Sequence, residues 1–227
     1  MNNSESPTPP PPPARADATR AALIDAGLRL FGQHGFDATT TRRLAKAAGA
    51  NVAAIGYHFG GKEALRTACA EHCAARILDA IRPALPADRP VGPPADRETA
   101  RRLLRAMAAA MVSFMVATPE AGHVSGFLLR EMTEGGPGIG IVYAALVEPM
   151  HGRACALWAA ATGQQADAPA VRLAVFALIG QIVYFRIGRP VILRRMGWDG
   201  VGAPEAAQIT RLILANLDAL LAAGGRE

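Results

Sequence analysis

The chain is poor in several residue types, and each shortage removes a class of function. It has 3 cysteines in 227 residues, an odd and sparse set that argues against a disulfide framework. Cys69 and Cys73 lie one helical turn apart with His72 between them, a spacing open to a metal or redox role and to plain packing of small buried thiols. The 5 histidines are scattered, without the paired spacing of a zinc-hydrolase helix. Aromatics make up only 5% of the chain and β-branched runs are few, whereas alanine and leucine abound, which favours helices over sheets. The longest apolar runs, residues 106–112 and 173–185, are too short to span a bilayer as written, and Gln181 interrupts the second. No secretory hydrophobic segment is present. The expectation is a cytoplasmic protein without a membrane partner.

Enzymatic motifs are also missing. Ser125 sits in Gly-His-Val-Ser-Gly, which is not the Gly-x-Ser-x-Gly elbow and lacks its strand-to-helix setting. The glycines at 135, 136, 138 and 140 follow no strand, and Tyr143 stands where a dinucleotide fingerprint needs its third glycine. Neither an enzyme nor a cofactor is expected. The first sixteen residues hold a run of prolines, cannot form a helix, and read as a polyproline-type tail.

What the chain does contain is TTTRRLAKAAGANVAAIGYHF, residues 39–59. Thr40 can cap a first short helix by accepting from an otherwise unpaired N–H. Leu44 and Ala48 share one face, with Arg42, Arg43 and Lys46 pointing elsewhere. Gly49 stands where the helix must stop, since glycine takes the left-handed conformation freely. Asn51 can cap a second helix, on which Val52, Ile55 and Phe59 follow core spacing while Asn51, Ala53, Ala54, Gly56, Tyr57 and His58 face outward. Helix, tight glycine turn and helix is the arrangement that places a second helix in the DNA major groove. Residues 15–62 carry seven cations and three anions, +4 of the chain's +5, and a basic excess suits phosphate contact.

The ordered string LFGQHGFDATTTRRLAKAAGANVAAIGYHFGGKEAL resembles the DNA-binding domain of the TetR family of bacterial regulators. The match rests on the Leu-Phe, Gly-Phe and Ala-Thr-Thr positions, Leu-Ala-Lys-Ala-Ala-Gly, Tyr-His-Phe, and Lys62-Glu63-x-Leu65 opening the next helix. The resemblance implies a DNA-facing set of Thr40, Thr41, Arg42, Asn51, Val52, Ala53, Gly56, Tyr57, His58 and Lys62. Within it, Thr41, Tyr57, His58 and Lys62 would touch phosphates or nearby base edges. Asn51, Val52 and Ala53 would lead the recognition helix, although the spacing of Val52 equally suits the core. Many relatives carry an aromatic or amide residue at the position of Gly56, so the operator sequence does not carry over.

A first helix is expected over 17–34, with Leu23, Gly27, Leu30 and Phe31 on one stripe, and a long helix from Lys62. The expected organisation is a tail over 1–16, a helix-turn-helix domain over 17–77, and a C-terminal domain over 78–227. After a Pro-rich connection at 85–96, helices are expected over 97–117, 120–134, 139–162, 169–187 and 204–223. In the last, Ile209, Leu212, Ile213, Asn216, Leu217, Leu220 and Leu221 form a wide stripe. GFLLREM (126–132) and LIGQIVYFRIGRPVILRRMGW (178–198) resemble the C-terminal domain of one TetR subgroup. That implies an all-α module that binds a small, often amphipathic effector and pairs through its last helices.

Candidate pocket-liners are Phe114, Phe127, Tyr143, Met150, Trp158, Tyr184 and Phe185, with His123, Arg130, Glu131, His151 or Gln181 supplying polarity. Each is also compatible with plain core packing, and the charges with a surface or a dimer contact. The expected partners are a double-stranded DNA operator, a small-molecule effector and a second copy of the chain. The competing readings are an effector-free structural DNA-binding protein and a helical enzyme fused to a DNA reader.

Overall fold

The computed structural model describes residues 13–85 and 96–225. Every described element is helical, as the composition implies. The chain divides into two compact units, Met1–Cys69 and Ala70–Glu227. The division falls inside one continuous helix, the same helix that holds the boundary expected at 77.

In the first unit, α1 spans Pro13–His34, α2 Thr41–Ala47 and α3 Ala53–Phe59, followed by the start of α4, Lys62–Ile81. α1 begins four residues before the expected 17, so residues 13–16 are helix rather than tail. Proline fits the first turn of a helix, where its missing N–H is unpaired anyway, and alanine and arginine propagate it well. Residues 1–12 of the expected tail lie outside the described residues. The core is built from Leu23, Phe31, Leu44, Ile55 and Leu65, all at most 2% exposed. Gly27 lets α1 and α4 approach: a Cβ there would lie 2.6 Å from Cys69 Sγ.

The second unit holds the rest of α4, a short 3₁₀ turn at Arg82–Ala84, and then α5 (Arg97–Val112), which continues into a widened π turn at Ser113–Ala117. It goes on through α6 (Ala121–Glu134), α7 (Gly138–Val142) with a second π turn at Tyr143–Val147, α8 (Glu148–Thr162), α9 (Pro169–Ile187), α10 (Arg189–Met196) and α11 (Ala203–Gly224). α5 lies against α8, α9 and α11, and α8 also lies against α9 and α11. Gly135, Gly163 and Gly197 end α6, α8 and α10 in the left-handed conformation. Most of the expected Pro-rich connection, residues 86–95, lies outside the described residues.

Three expectations change here. α10 was not anticipated. The wide stripe of α11 is two faces: Ile209, Ile213, Leu217 and Leu221 are buried, while Leu212 and Leu220 are 51% and 38% exposed. Finally, α9 and α11 are long and apolar enough by length and composition to cross a membrane. The apolar run at 173–185 is shorter than α9, which extends beyond it at both ends, and α11 reaches its length with polar residues interspersed. Gln181, which broke the run, accepts a hydrogen bond from Asn216 Nδ2 at 2.9 Å and so links α9 to α11.

Candidate functional site

The turn between α2 and α3 is set locally. The Arg43 N–H donates to Thr40 Oγ1 at 3.2 Å, the N-cap bond expected of Thr40. At the other end Gly49 has φ 62°, with the Ala50 N–H on the Ala45 carbonyl and its own N–H on Lys46. These two crossed bonds close the helix in a Schellman motif, which needs a left-handed residue at this position. Asn51 Oδ1 accepts from the Ala53 N–H at 3.0 Å, capping the first turn of α3.

On α3 only Ile55 is buried. Asn51, Val52, Ala53, Gly56 and Tyr57 are exposed, Val52 at 43% and Tyr57 at 66%, so Val52 lies outside the core that its spacing allowed. Ala54, His58 and Phe59 are half-buried. The His58 ring meets Tyr57 edge-on at 4.9 Å, and the Arg20 guanidinium lies over the Phe59 ring. Thr40 and Arg42 are exposed and Thr41 is half-buried. Thr40, Arg42, Asn51, Val52, Ala53, Gly56 and Tyr57 are thus open to solvent, within residues 15–62 that hold +4 of the chain's +5.

Lys62 is engaged inside the first unit. Its ammonium donates to the carbonyls of Phe36 and Thr39, both at 3.1 Å, and sits 4.0 Å from the centre of the Phe36 ring. Arg66 flanks the same ring. The buried Thr39 hydroxyl donates to the Leu30 and Gly35 carbonyls, and Arg43 Nη1 donates to Ala38. Phe36, Thr39 and Arg66 therefore fix the approach to α2. Sequence reasoning gave them no role beyond the motif, and the only signal was the order Gly-Phe-x-Ala-Thr-Thr followed by Lys62.

The candidate pocket residues of the second unit do not share one environment. Phe114, Phe127 and Trp158 are buried, whereas Tyr143 and Tyr184 are 53% and 57% exposed. Met150, Phe185, His123 and Gln181 are half-buried. Arg130 is paired to Glu134 along α6 at 3.0 Å. Glu131 is buried, which overturns a surface role for it, and accepts the Gly138 N–H at 2.9 Å where α7 begins. His151 stacks on Phe176, has Nε2 3.1 Å from the Arg172 carbonyl, and has Nδ1 3.6 Å from Cys155 Sγ. Burial, reinforced by the Glu131 charge, pushes the Cys73 thiol far up, which disfavours its thiolate. Arg76 donates to both carboxylate oxygens of Glu120 at 2.8 Å, holding that carboxyl below its ordinary value and tying α4 to the start of α6.

Comparison with known proteins finds a match in each half of the chain. Residues 23–69 match the family described as bacterial regulatory proteins, tetR family, and residues 100–224 match the C-terminal domain of the HTH-type transcriptional dual regulator CecR. The CecR dual regulator of Shigella flexneri is 33% identical over 208 residues, 91% of this chain and 93% of that protein. The repressor AcnR of Corynebacterium efficiens is 38% identical over 63 residues, 28% of this chain and 34% of that protein. Among solved structures, a transcriptional regulator from Pseudomonas aeruginosa PAO1 superposes with TM-score 0.64 at 20% identity, covering 91% of this chain and 92% of that one. AibR, crystallised with isovaleryl coenzyme A and operator DNA, superposes with TM-score 0.60 at 14% identity, covering 86% and 96%.

Proposed function

The chain belongs to the TetR family of bacterial regulatory proteins, with a C-terminal domain of the CecR type, and from that premise we propose that it is a homodimeric, ligand-responsive repressor of a pseudo-palindromic operator. A chain of this family is a DNA-binding regulator of transcription and not an enzyme. The observation that carries the DNA-facing assignment is the exposed set Asn51 and Val52, just before α3, and Ala53, Gly56 and Tyr57 on it, capped and turned by Thr40, Gly49 and Asn51. Asn51, Val52 and Ala53 stand at the leading end, where base edges are reached. Thr41, Tyr57, His58 and the remaining N–H of Lys62 suit phosphate oxygens.

Dimerisation is supported by the apolar outer faces of α9 and α11. Leu173, Phe176, Tyr184 and Ile187 of α9, and Leu212 and Leu220 of α11, are exposed in the single chain. Two-fold pairing then presents two recognition helices to half-sites one helical turn apart, about 34–36 Å. The same pairing covers the surfaces that would otherwise suit a membrane, which agrees with a cytoplasmic regulator. Control by a small molecule is supported by the helical C-terminal half and by the structural likeness to AibR, which was crystallised with both a thioester ligand and operator DNA. A ligand shifts the equilibrium only through differential affinity for the two states. A coupling of about 1–3 kcal/mol changes operator affinity roughly 5- to 150-fold. The dual regulator of Shigella flexneri favours one second reading, activation at some promoters.

The test is selection of duplexes from a random pool, followed by anisotropy titration of the winning site and transcription from a template that carries it. Two protomers per site, a steep salt dependence and reduced transcription are expected. Asn51→Ala should shift the selected sequence, and Tyr57→Phe should weaken all sites alike. One protomer per site, or a pool that fails to converge, would end the proposal.

A further inference from the structure

α9 and α11 lie against each other, and each turns one row of side chains outward. Phe176, Gly180 and Tyr184 recur every four residues on α9, with Leu173 and Ile187 beyond them, and all five are exposed. On α11 the row is Leu212, Asn216 and Leu220, also exposed and also four apart. That spacing keeps each row on one face of its helix. Neither row holds a charged residue, and an amide stands at the middle of each. There Asn216 Nδ2 donates to Oε1 of Gln181, the neighbour of Gly180, at 2.9 Å. A Cβ on Gly180 would meet nothing within 4 Å, so α9 is open to close approach at the same level.

A carboxamide has two N–H donors and a carbonyl with two lone pairs. One bond between two amides, whichever way round each is turned, leaves the carbonyl of one and the NH2 of the other able to bond again. In the single chain Asn216 is exposed and Gln181 half-buried, and water serves both. A second copy laid over the leucines and aromatics would displace that water, and buried amides then need protein partners. Two-fold pairing sets a patch against itself, so that residue i of one copy meets residue j of the other and j meets i. The middle of such a patch lies at the axis. The amide pair, at the middle of both rows, meets its own counterpart there, donor to acceptor twice over. We propose that this pair is the register key of the dimer: Gln181 of each copy bonds the partner's Asn216 across the axis, and a second copy of this chain seats in one alignment only. A slip of one helical turn, about 5.4 Å, would set all four amides against leucine and aromatic side chains and leave them unbonded. A polar residue in an apolar contact weakens it and excludes other alignments. Alignment matters because operator half-sites fix the separation of the two recognition helices. This rests on the homodimer reading above and states how its two copies align.

A spin label on Ala222→Cys in the full chain, an exposed position of α11, reads the alignment as the distance between two copies, the native cysteines being buried. The parent should give one narrow distance. Gln181→Leu with Asn216→Leu makes both rows free of amides, and that variant should still sediment as a dimer or a larger species. Its label distances should split or broaden, and its operator affinity should fall at least about tenfold, because linked half-sites need one geometry. Asn216→Leu alone strands the Gln181 amide in an apolar contact, so it should dissociate at higher protein concentrations than the double variant does. Circular dichroism checks that each variant is folded. The register key is overturned if the double variant keeps the single narrow distance or the parent's operator affinity, or if single and double variants dimerise equally. It is overturned too if the folded double variant sediments as a monomer, which would make the amides the dimer's attraction rather than its alignment. In each of these cases the parent remains a dimer and the homodimer reading stands. A parent that sediments as a monomer would sink that reading, and the register key with it.

Discussion

Gly27 is held by space rather than by backbone conformation. A methyl group there would press on Cys69 Sγ, itself wholly buried and 3.6 Å from the Ile24 carbonyl, and the packed side chains of Phe31 and Leu65 leave little room to yield. Gly27→Ala should therefore destabilise the first unit by about 1–3 kcal/mol, the usual range for overpacking. Replacing Cys69 by alanine removes the obstructing sulfur. The double variant should then lose less than the two single losses added together, by about 0.5 kcal/mol or more. Urea unfolding of the four proteins measures the coupling, and strictly additive losses would show that the sulfur is not the obstacle. Lys62 poses a different question, because its ammonium is bound to Phe36 and Thr39 before any DNA arrives. Lys62→Met should weaken DNA binding and also lower stability by about 1–3 kcal/mol. Lys46→Met, at an exposed position on α2, should change stability by less than about 0.5 kcal/mol while still reducing DNA affinity. Thermal melts alongside DNA titrations separate the two roles. Equal melting temperatures for both variants would leave Lys62 as a phosphate contact alone.

Within α3, Gly56 is the weak link. It lies mid-helix, and a Cβ there would meet nothing within 4 Å. Gly56→Ala should raise stability by about 0.5–1 kcal/mol through helix propensity alone, seen as a higher urea midpoint. A loss of stability would mean that the α3 backbone depends on glycine there. At the α4–α6 junction, Glu120 is held below its ordinary carboxyl value by the paired Arg76, and the side chain is 42% exposed. A depressed carboxyl stabilises the fold above its unfolded value and loses that contribution as pH falls through the folded value. For a partly exposed pair the effect is at most about 1 kcal/mol. Glu120→Gln should be less stable than the parent at neutral pH, and the gap should close in acid; a gap that persists in acid would refute the assignment.

The α2–α3 turn was legible because its signals are local: a threonine cap, a glycine stop and an asparagine cap act over three or four residues. α10 was not, since it buries nothing in its own chain and a hydrophobic pattern announces only buried faces. The pocket candidates scatter for a related reason. Residue type made Tyr143 and Tyr184 resemble Phe127, but only the packing of neighbouring helices decides which of them is covered.

At the scale of the whole molecule, the stripe on α11 shows what one chain uses and what it leaves for another. Leu217 is wholly buried in the second unit, in line with Ile209, Ile213 and Leu221, while Leu212 lies half-exposed on the opposite edge of the stripe. If α11 pairs as proposed, the two leucines serve different contacts, and the same charged substitution should produce different failures. Leu217→Asp places an unpaired carboxylate in the core and should cost about 4 kcal/mol or more, enough to abolish cooperative unfolding of the C-terminal unit. Leu212→Asp should keep the helical circular dichroism and a cooperative transition. Its carboxylate would instead face the partner's apolar surface across the proposed two-fold contact, and two-fold symmetry repeats that insult once from each copy. Sedimentation should show that variant dissociating at concentrations where the parent is dimeric. Its operator affinity should fall with dissociation, because a single recognition helix engages one half-site and forfeits the gain from linking two. Non-specific binding to DNA, which depends on the basic first unit alone, should change far less. A Leu212→Asp protein that sediments as the parent dimer and keeps its operator affinity would place the dimer contact elsewhere. The exposed stripe of α9, from Leu173 to Ile187, would then be the next face to charge.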